Sequence, residues 1–108
     1  MRVLLDEQLD HRLRHDFNSQ FQVMTVAGRG WKGEKNGALI RLAAAEFDAF
    51  ITMDRGIEYE QNWTAIDLAI ILVSAKTNRY ADVKPLIQAI ESALAKAVPG
   101  RLVRVSSD

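Results

Sequence analysis

Asp6 and Asp54 are the residues of this chain best placed to do chemistry. Each closes a short apolar run, MRVLLD at the N-terminus and AFITMD in the middle. Such runs read as buried strands. Open α/β sheets bind ligands outside the carboxyl ends of their strands, near the point where strand order reverses. Acids gathered at that edge repel one another unless neutralised, and a hard divalent cation neutralises them through oxygen ligands. Mg²⁺ or Mn²⁺ held in this way can activate water and stabilise the charge on a phosphate being cleaved. Singly, Asp6 reads as an N-cap and Asp54 as a turn residue; together they read as a catalytic and metal-binding pair, with Glu7 beside them.

The elements that must position these acids follow from periodicity. Strands are expected at Met1–Leu5, Phe21–Ala27, Ala49–Met53, Leu68–Val73 and Arg101–Val105. Leu9, Leu13 and Phe17 recur at helical spacing and predict a helix over Gln8–Phe17. A second helix, opened by Asn36 as N-cap, should run to about Phe47 and bury Leu39, Ile40, Ala43 and Phe47. Tyr80–Val98 is the clearest helix, capped by Asp82, with Pro85 in its first turn and Pro99-Gly100 ending it. Arg55–Thr64 is a polar connection with room for one helical turn, in which Trp63 covers the sheet. Alternating strands and helices imply one α/β domain over residues 1–108, with a mostly parallel five-stranded sheet and helices on both faces.

Composition narrows the function classes. The chain has 108 residues, 48% apolar and 26% charged, an ordinary globular balance. Cysteine is absent, which excludes disulfides, thiolate metal sites and thiol nucleophiles. No apolar run approaches the ~20 residues of a membrane span, and the first residues turn acidic too early for a signal peptide. A cytoplasmic protein with no membrane partner is the expectation. Net charge is zero, which argues against a dedicated DNA binder. The charge is uneven, however: residues 44–67 hold six acids and one base, residues 74–107 six bases and two acids. An acidic centre with a basic neighbour would fit this pattern, as would solvated helix faces.

MRVLLDEQL at the start and FDAFITMDR in the middle resemble the compact PIN-like domains of bacterial toxin–antitoxin modules. The resemblance spans nearly the whole chain in order and length. It implies a PIN-like three-layer sandwich, Mg²⁺ or Mn²⁺ at an acidic cluster, and hydrolysis of RNA phosphodiester bonds. It also implies a small DNA-binding antitoxin protein as partner, and leaves a homodimer open. Asp6 and Asp54 match the metal-binding aspartates, and Glu7 the adjacent acid. Two positions depart from the pattern. Asn36 stands where an acid usually opens the second helix, and can ligate only weakly through its carbonyl. Gly56 stands where many members carry another Asp. The acidic set thins accordingly, with Glu34 or Glu58 as substitutes. The competing readings are a catalytically degenerate PIN-like module paired with an antitoxin and, further off, a receiver-like domain phosphorylated on Asp54.

Other features could serve RNA. The loop Gly28–Lys35 (GRGWKGEK) could hold a phosphate with backbone N–H groups, Arg29 and Lys32 while Trp31 stacks on a base, although an ordinary surface loop fits equally. Lys76, Arg79 and Tyr80 could hold phosphates beside the acids. His11 and His15 have the spacing of a helical metal pair but read as solvent-facing. Ser74, Ser106 and Ser107 have no histidine placed to activate them, and no dinucleotide or Walker motif is present.

Overall fold

The apolar runs form the five strands expected of them, with ends shifted by a residue or two. They are β1 (Arg2–Leu5), β2 (Gln22–Thr25), β3 (Ala49–Thr52), β4 (Ala69–Ser74) and β5 (Leu102–Ser106). The computed structural model describes residues 1–59 and 65–107; Trp63 lies outside them. All four strand pairings are parallel, in the order β2-β1-β3-β4-β5. Connections leave β1 toward one side of the sheet and β3 toward the other, so the switch point lies between those two strands.

Alternate side chains sort into two apolar clusters. Val3, Leu5, Ala49, Ile51, Ile71 and Val73 face one way. Leu4, Phe50, Ile70 and Leu72 face the other. Helix α1 (Asn36–Glu46) covers the second set with Leu39, Ile40 and Ala43. Helices α2 (Tyr80–Val83) and α3 (Ile87–Ala95) cover the first with Val83, Ile87, Ile90 and Leu94. Fully burying a side chain such as Phe50, which has no exposed surface, contributes about 1.5–3 kcal/mol. That burial on both sides is why β3 and β4 read as continuous apolar runs.

The β2–β3 and β4–β5 crossovers step the same way across the sheet but lie on opposite faces. They therefore have opposite hands, and one departs from the strong right-handed preference. The placement has a packing reason. Besides α2 and α3, the cover among the described residues for the face carrying Val3, Leu5, Ile51 and Val73 comes chiefly from the segment between β1 and β2, with Leu9, Leu13 and Phe17.

Two helices differ from expectation. Instead of an α-helix over Gln8–Phe17 there is one 3-10 helix, His11–His15. Asp10 caps it, accepting from the Arg12 N–H, and Leu13 and Asp16 bond three residues back rather than four. Leu9 and Leu13 are still buried. The Tyr80–Val98 helix is broken into α2, a 3-10 turn at Lys84–Leu86, and α3. Pro85 lies beyond the first turn, where it lacks an N–H for Ala81 and its ring crowds that carbonyl. The chain tightens to three-residue bonds there, such as Ile87 N–H to the Lys84 carbonyl. Nor does Asp82 cap this helix: Arg79 is the N-cap, and the Thr77 hydroxyl bonds the Asp82 carboxylate.

Candidate functional site

Asp6 follows β1 and Asp54 follows β3 by two residues, so the two strands flanking the switch point deliver both carboxylates to one edge. Asp6 shares the parity of Leu4 and Thr52 that of Phe50, which turns both toward the α1 side of the sheet. The Asp6 N–H donates to the Ile51 carbonyl at 2.9 Å, tying the end of β1 to β3.

One hydroxyl links the two acids. Thr52 Oγ1 donates to Asp6 Oδ2 at 2.6 Å and accepts the Asp54 N–H at 3.0 Å. Asp6 Oδ1 accepts the Glu7 N–H at 2.8 Å. Asp54 Oδ1 accepts the Gly56 N–H at 2.9 Å, and Asp54 Oδ2 accepts from Asn36 Nδ2 at 2.7 Å. Each of the four carboxylate oxygens thus accepts one hydrogen bond from a described residue and keeps a lone pair. Thr52 was not singled out by sequence reasoning. Its signal is a hydroxyl residue ending an apolar strand two positions before an aspartate.

Asn36 is not the N-cap expected of it. Lys35 holds that position without a side-chain bond, and Asn36 is the first residue of α1. Its amide is spent on Asp54 instead. The open N–H groups of the first turn of α1 lie beside the acids, where the helix dipole favours negative charge. Gly56 fits tightly as well: a Cβ there would sit 3.1 Å from Asp54 Oδ1, so a larger residue would press by a few tenths of an ångström on the carboxylate that its own N–H holds.

Asp6 is 5% exposed, and burial pushes its carboxyl above the usual range. The Thr52 hydroxyl and the Glu7 N–H pull the other way, while the charges on Glu7 and Asp54 add to the rise. Asp54 is thus near enough for its charge to be felt at Asp6. The two share an open cleft of about 560 Å³ with Glu7, Glu34, Lys35 and Asn36.

Among the described residues no three acids or histidines are grouped closely enough to form a complete metal set. Glu7 lines the same cleft, and its Oε1 accepts the Gly33 N–H at 3.4 Å. Mg²⁺ needs no such set; it commonly takes one or two carboxylates and keeps several waters. Two oxygen-rich carboxylates with free lone pairs, one of them bearing the cost of like charge, fit an ion of that kind.

The remaining candidates divide. Glu34 borders the acidic cleft, whereas Glu58 is paired with Arg104 at 2.7 Å. Lys32 and Arg79 line a second cleft that shares Asp6 and Glu7 with the first. Arg29 and Trp31 are engaged elsewhere. The Arg29 guanidinium pairs with Glu46 at the far end of α1 and lies 5.0 Å from the Trp31 ring. Trp31 packs edge-on against Phe47. Lys76 is exposed and lines neither cleft. Tyr80 donates to Asp16 at 2.6 Å under the Arg12 guanidinium, away from the acids. His11 and His15 are exposed, and at three residues per turn they no longer share a face.

The fold and its edge define an α/β domain with an acidic crevice at the switch point of a parallel sheet. Comparison with family models, curated proteins and solved structures finds no match to this chain.

Proposed function

We propose that the domain is a metal-dependent hydrolase of RNA phosphodiester bonds, a PIN-like ribonuclease of three-layer architecture. The observation carrying this reading is the Thr52 hydroxyl joining the Asp6 carboxylate to the Asp54 backbone N–H, so that the acids following β1 and β3 line one cleft with lone pairs to spare. Strand order alone is shared by domains of many functions, so the argument rests on the site. Asp6 and Asp54 would hold Mg²⁺ or Mn²⁺, which supplies an activated water and charge stabilisation at the phosphate. Asn36 and Gly56 fix the orientation of Asp54. Glu7, held only by a long contact, is free to accept the proton of the attacking water. A small DNA-binding antitoxin would be the protein partner in a cytoplasmic setting; no helix among the described residues is long and apolar enough to cross a membrane.

The test is cleavage of a mixed RNA pool by purified protein with Mn²⁺, Mg²⁺ or EDTA. Cleavage should require metal, and Asp54→Asn should reduce it by about 100-fold. A folded wild-type protein that neither cuts RNA nor takes up Mn²⁺ in calorimetry sinks the hydrolytic reading. The alternative, a PIN-like scaffold kept for antitoxin binding, would then account for Asn36 and Gly56 at positions usually acidic.

Asn36→Asp tests the donor set from the other side. It replaces the amide bonded to Asp54 with a third carboxylate, and ion affinity rises with ligand charge. Mn²⁺ should bind on the order of tenfold more tightly, while the metal-free protein melts lower because two carboxylates now face each other. Isothermal titration and a metal-free melt read the two effects separately.

A further inference from the structure

We propose that the second cleft is a phosphate subsite, in which Lys32 and Arg79 hold a backbone phosphate of a single-stranded nucleic acid whose neighbouring linkage lies at Asp6 and Asp54. This rests on the hydrolytic reading for what happens at the acids, but the subsite itself stands on other residues. The two clefts meet along Asp6, Glu7 and Gln8. One is bordered by the acids and the N-terminus of α1. The other, about 480 Å³, opens toward the carboxyl end of β2 and the loop before α2.

Lys32 and Arg79 come to it from segments far apart in sequence. Neither forms an ion pair with a described residue, whereas Arg12, Arg29 and Arg104 all do. The cleft's remaining acid away from the shared wall, Asp10, is already satisfied: Arg12 grips both its oxygens at 3.0 and 2.8 Å. The charge left unpaired in this cleft is therefore negative at Asp6 and Glu7 and positive at Lys32 and Arg79. A polyanion fits this alternation, with a cation at the acids neutralising one phosphate and the two side chains the next.

Both cations ride on braced segments. Asn78 Nδ2 donates to the Gln8 carbonyl at 3.0 Å, and Thr77 Oγ1 accepts the Arg79 N–H at 3.0 Å. Lys32 follows Trp31, which is anchored on Phe47. Bracing lowers the ordering cost of binding. It also explains why Arg29 and Trp31, the other promising residues of the glycine-rich loop, are turned away: they fasten the loop that presents Lys32.

The experiment is fluorescence anisotropy of a short labelled single-stranded RNA of mixed sequence, titrated with salt, in EDTA and again in Ca²⁺. Wild type is compared with K32Q/R79Q and with K96Q/R101Q, which removes the same charge near the opposite edge of the sheet; circular dichroism checks that all three are folded. K32Q/R79Q should bind on the order of tenfold more weakly, and its log–log salt slope should flatten by about 1.4, two contacts at about 0.7 each. K96Q/R101Q should behave as wild type. The proposal is overturned if wild type binds RNA in neither condition, if K32Q/R79Q binds like wild type, or if the control loses as much. Binding is read apart from cleavage, so the two readings fail separately. A strand that binds as described but is never cut removes the hydrolase and leaves the subsite. A strand that is cut, with affinity unchanged in K32Q/R79Q, does the reverse.

Discussion

Asp6→Asn should abolish metal-dependent RNA cleavage, by at least about 100-fold, and at the same time raise the melting temperature at neutral pH. The two effects have one cause. Burial and the charges of Glu7 and Asp54 disfavour the Asp6 carboxylate by more than the Thr52 and Glu7 hydrogen bonds favour it, so its pKa is raised. A group raised in this way weighs on the fold once ionised. Its cost is absent below the ordinary carboxyl pKa and grows as pH rises through the interval up to the folded value. Asparagine removes the charge and keeps the shape. Its oxygen can accept the Glu7 N–H, and its amide can donate to Thr52 Oγ1, whose own proton can turn to Gln8 Oε1, 3.4 Å away. Thermal melts of wild type and variant across that pH interval should diverge, with the wild type losing stability as pH rises. Equal melting at all pH values would show that the buried charge carries no cost, and would remove the electrostatic case for a neutralising ion.

The acids were legible in the sequence because they depend on strand ends, which hydrophobic runs mark well. Asp6 and Asp54 each follow an apolar stretch, and a parallel sheet brings such ends to one edge whatever the details of the helices. The helices themselves were less legible. Leu9, Leu13 and Phe17 have helical spacing, but Asp10 and the short span between β1 and β2 impose a 3-10 turn that buries the same leucines. Pro85 is visible in sequence, yet its effect depends on where the helix starts, and Arg79 rather than a later residue caps it. The glycine-rich loop misled in an informative way. Arg29 and Trp31 look like ligand contacts in a linear chain, and only the fold supplies Glu46 and Phe47 as their partners. The face on which the β4–β5 crossover lies cannot be read from the pattern at all, since the burial stripe of α3 would be the same on either side.

Thr52→Val should be the most damaging single-atom change in the crevice. Thr52 is fully buried, and valine fills its volume while deleting the hydroxyl that links Asp6 to Asp54. The Asp54 N–H then loses its acceptor and Asp6 Oδ2 its donor. A hydrogen bond to a charged group contributes about 1.5–3 kcal/mol, so a loss of about 2–3 kcal/mol is expected in urea unfolding. That is a large share of the ~5–15 kcal/mol typical of a domain. The Thr52 hydroxyl is the leading influence holding the Asp6 pKa down; without it the Asp6 pKa rises further, and stability falls with pH over a wider interval than in wild type. Thr52→Ser keeps the hydroxyl and deletes one buried methyl, so it should cost only about 1 kcal/mol and leave the pH dependence as it was. The contrast separates positioning from packing. If serine and valine variants lose the same stability and share one pH profile, Thr52 merely fills space, and the carboxylates are held in place by the strands alone.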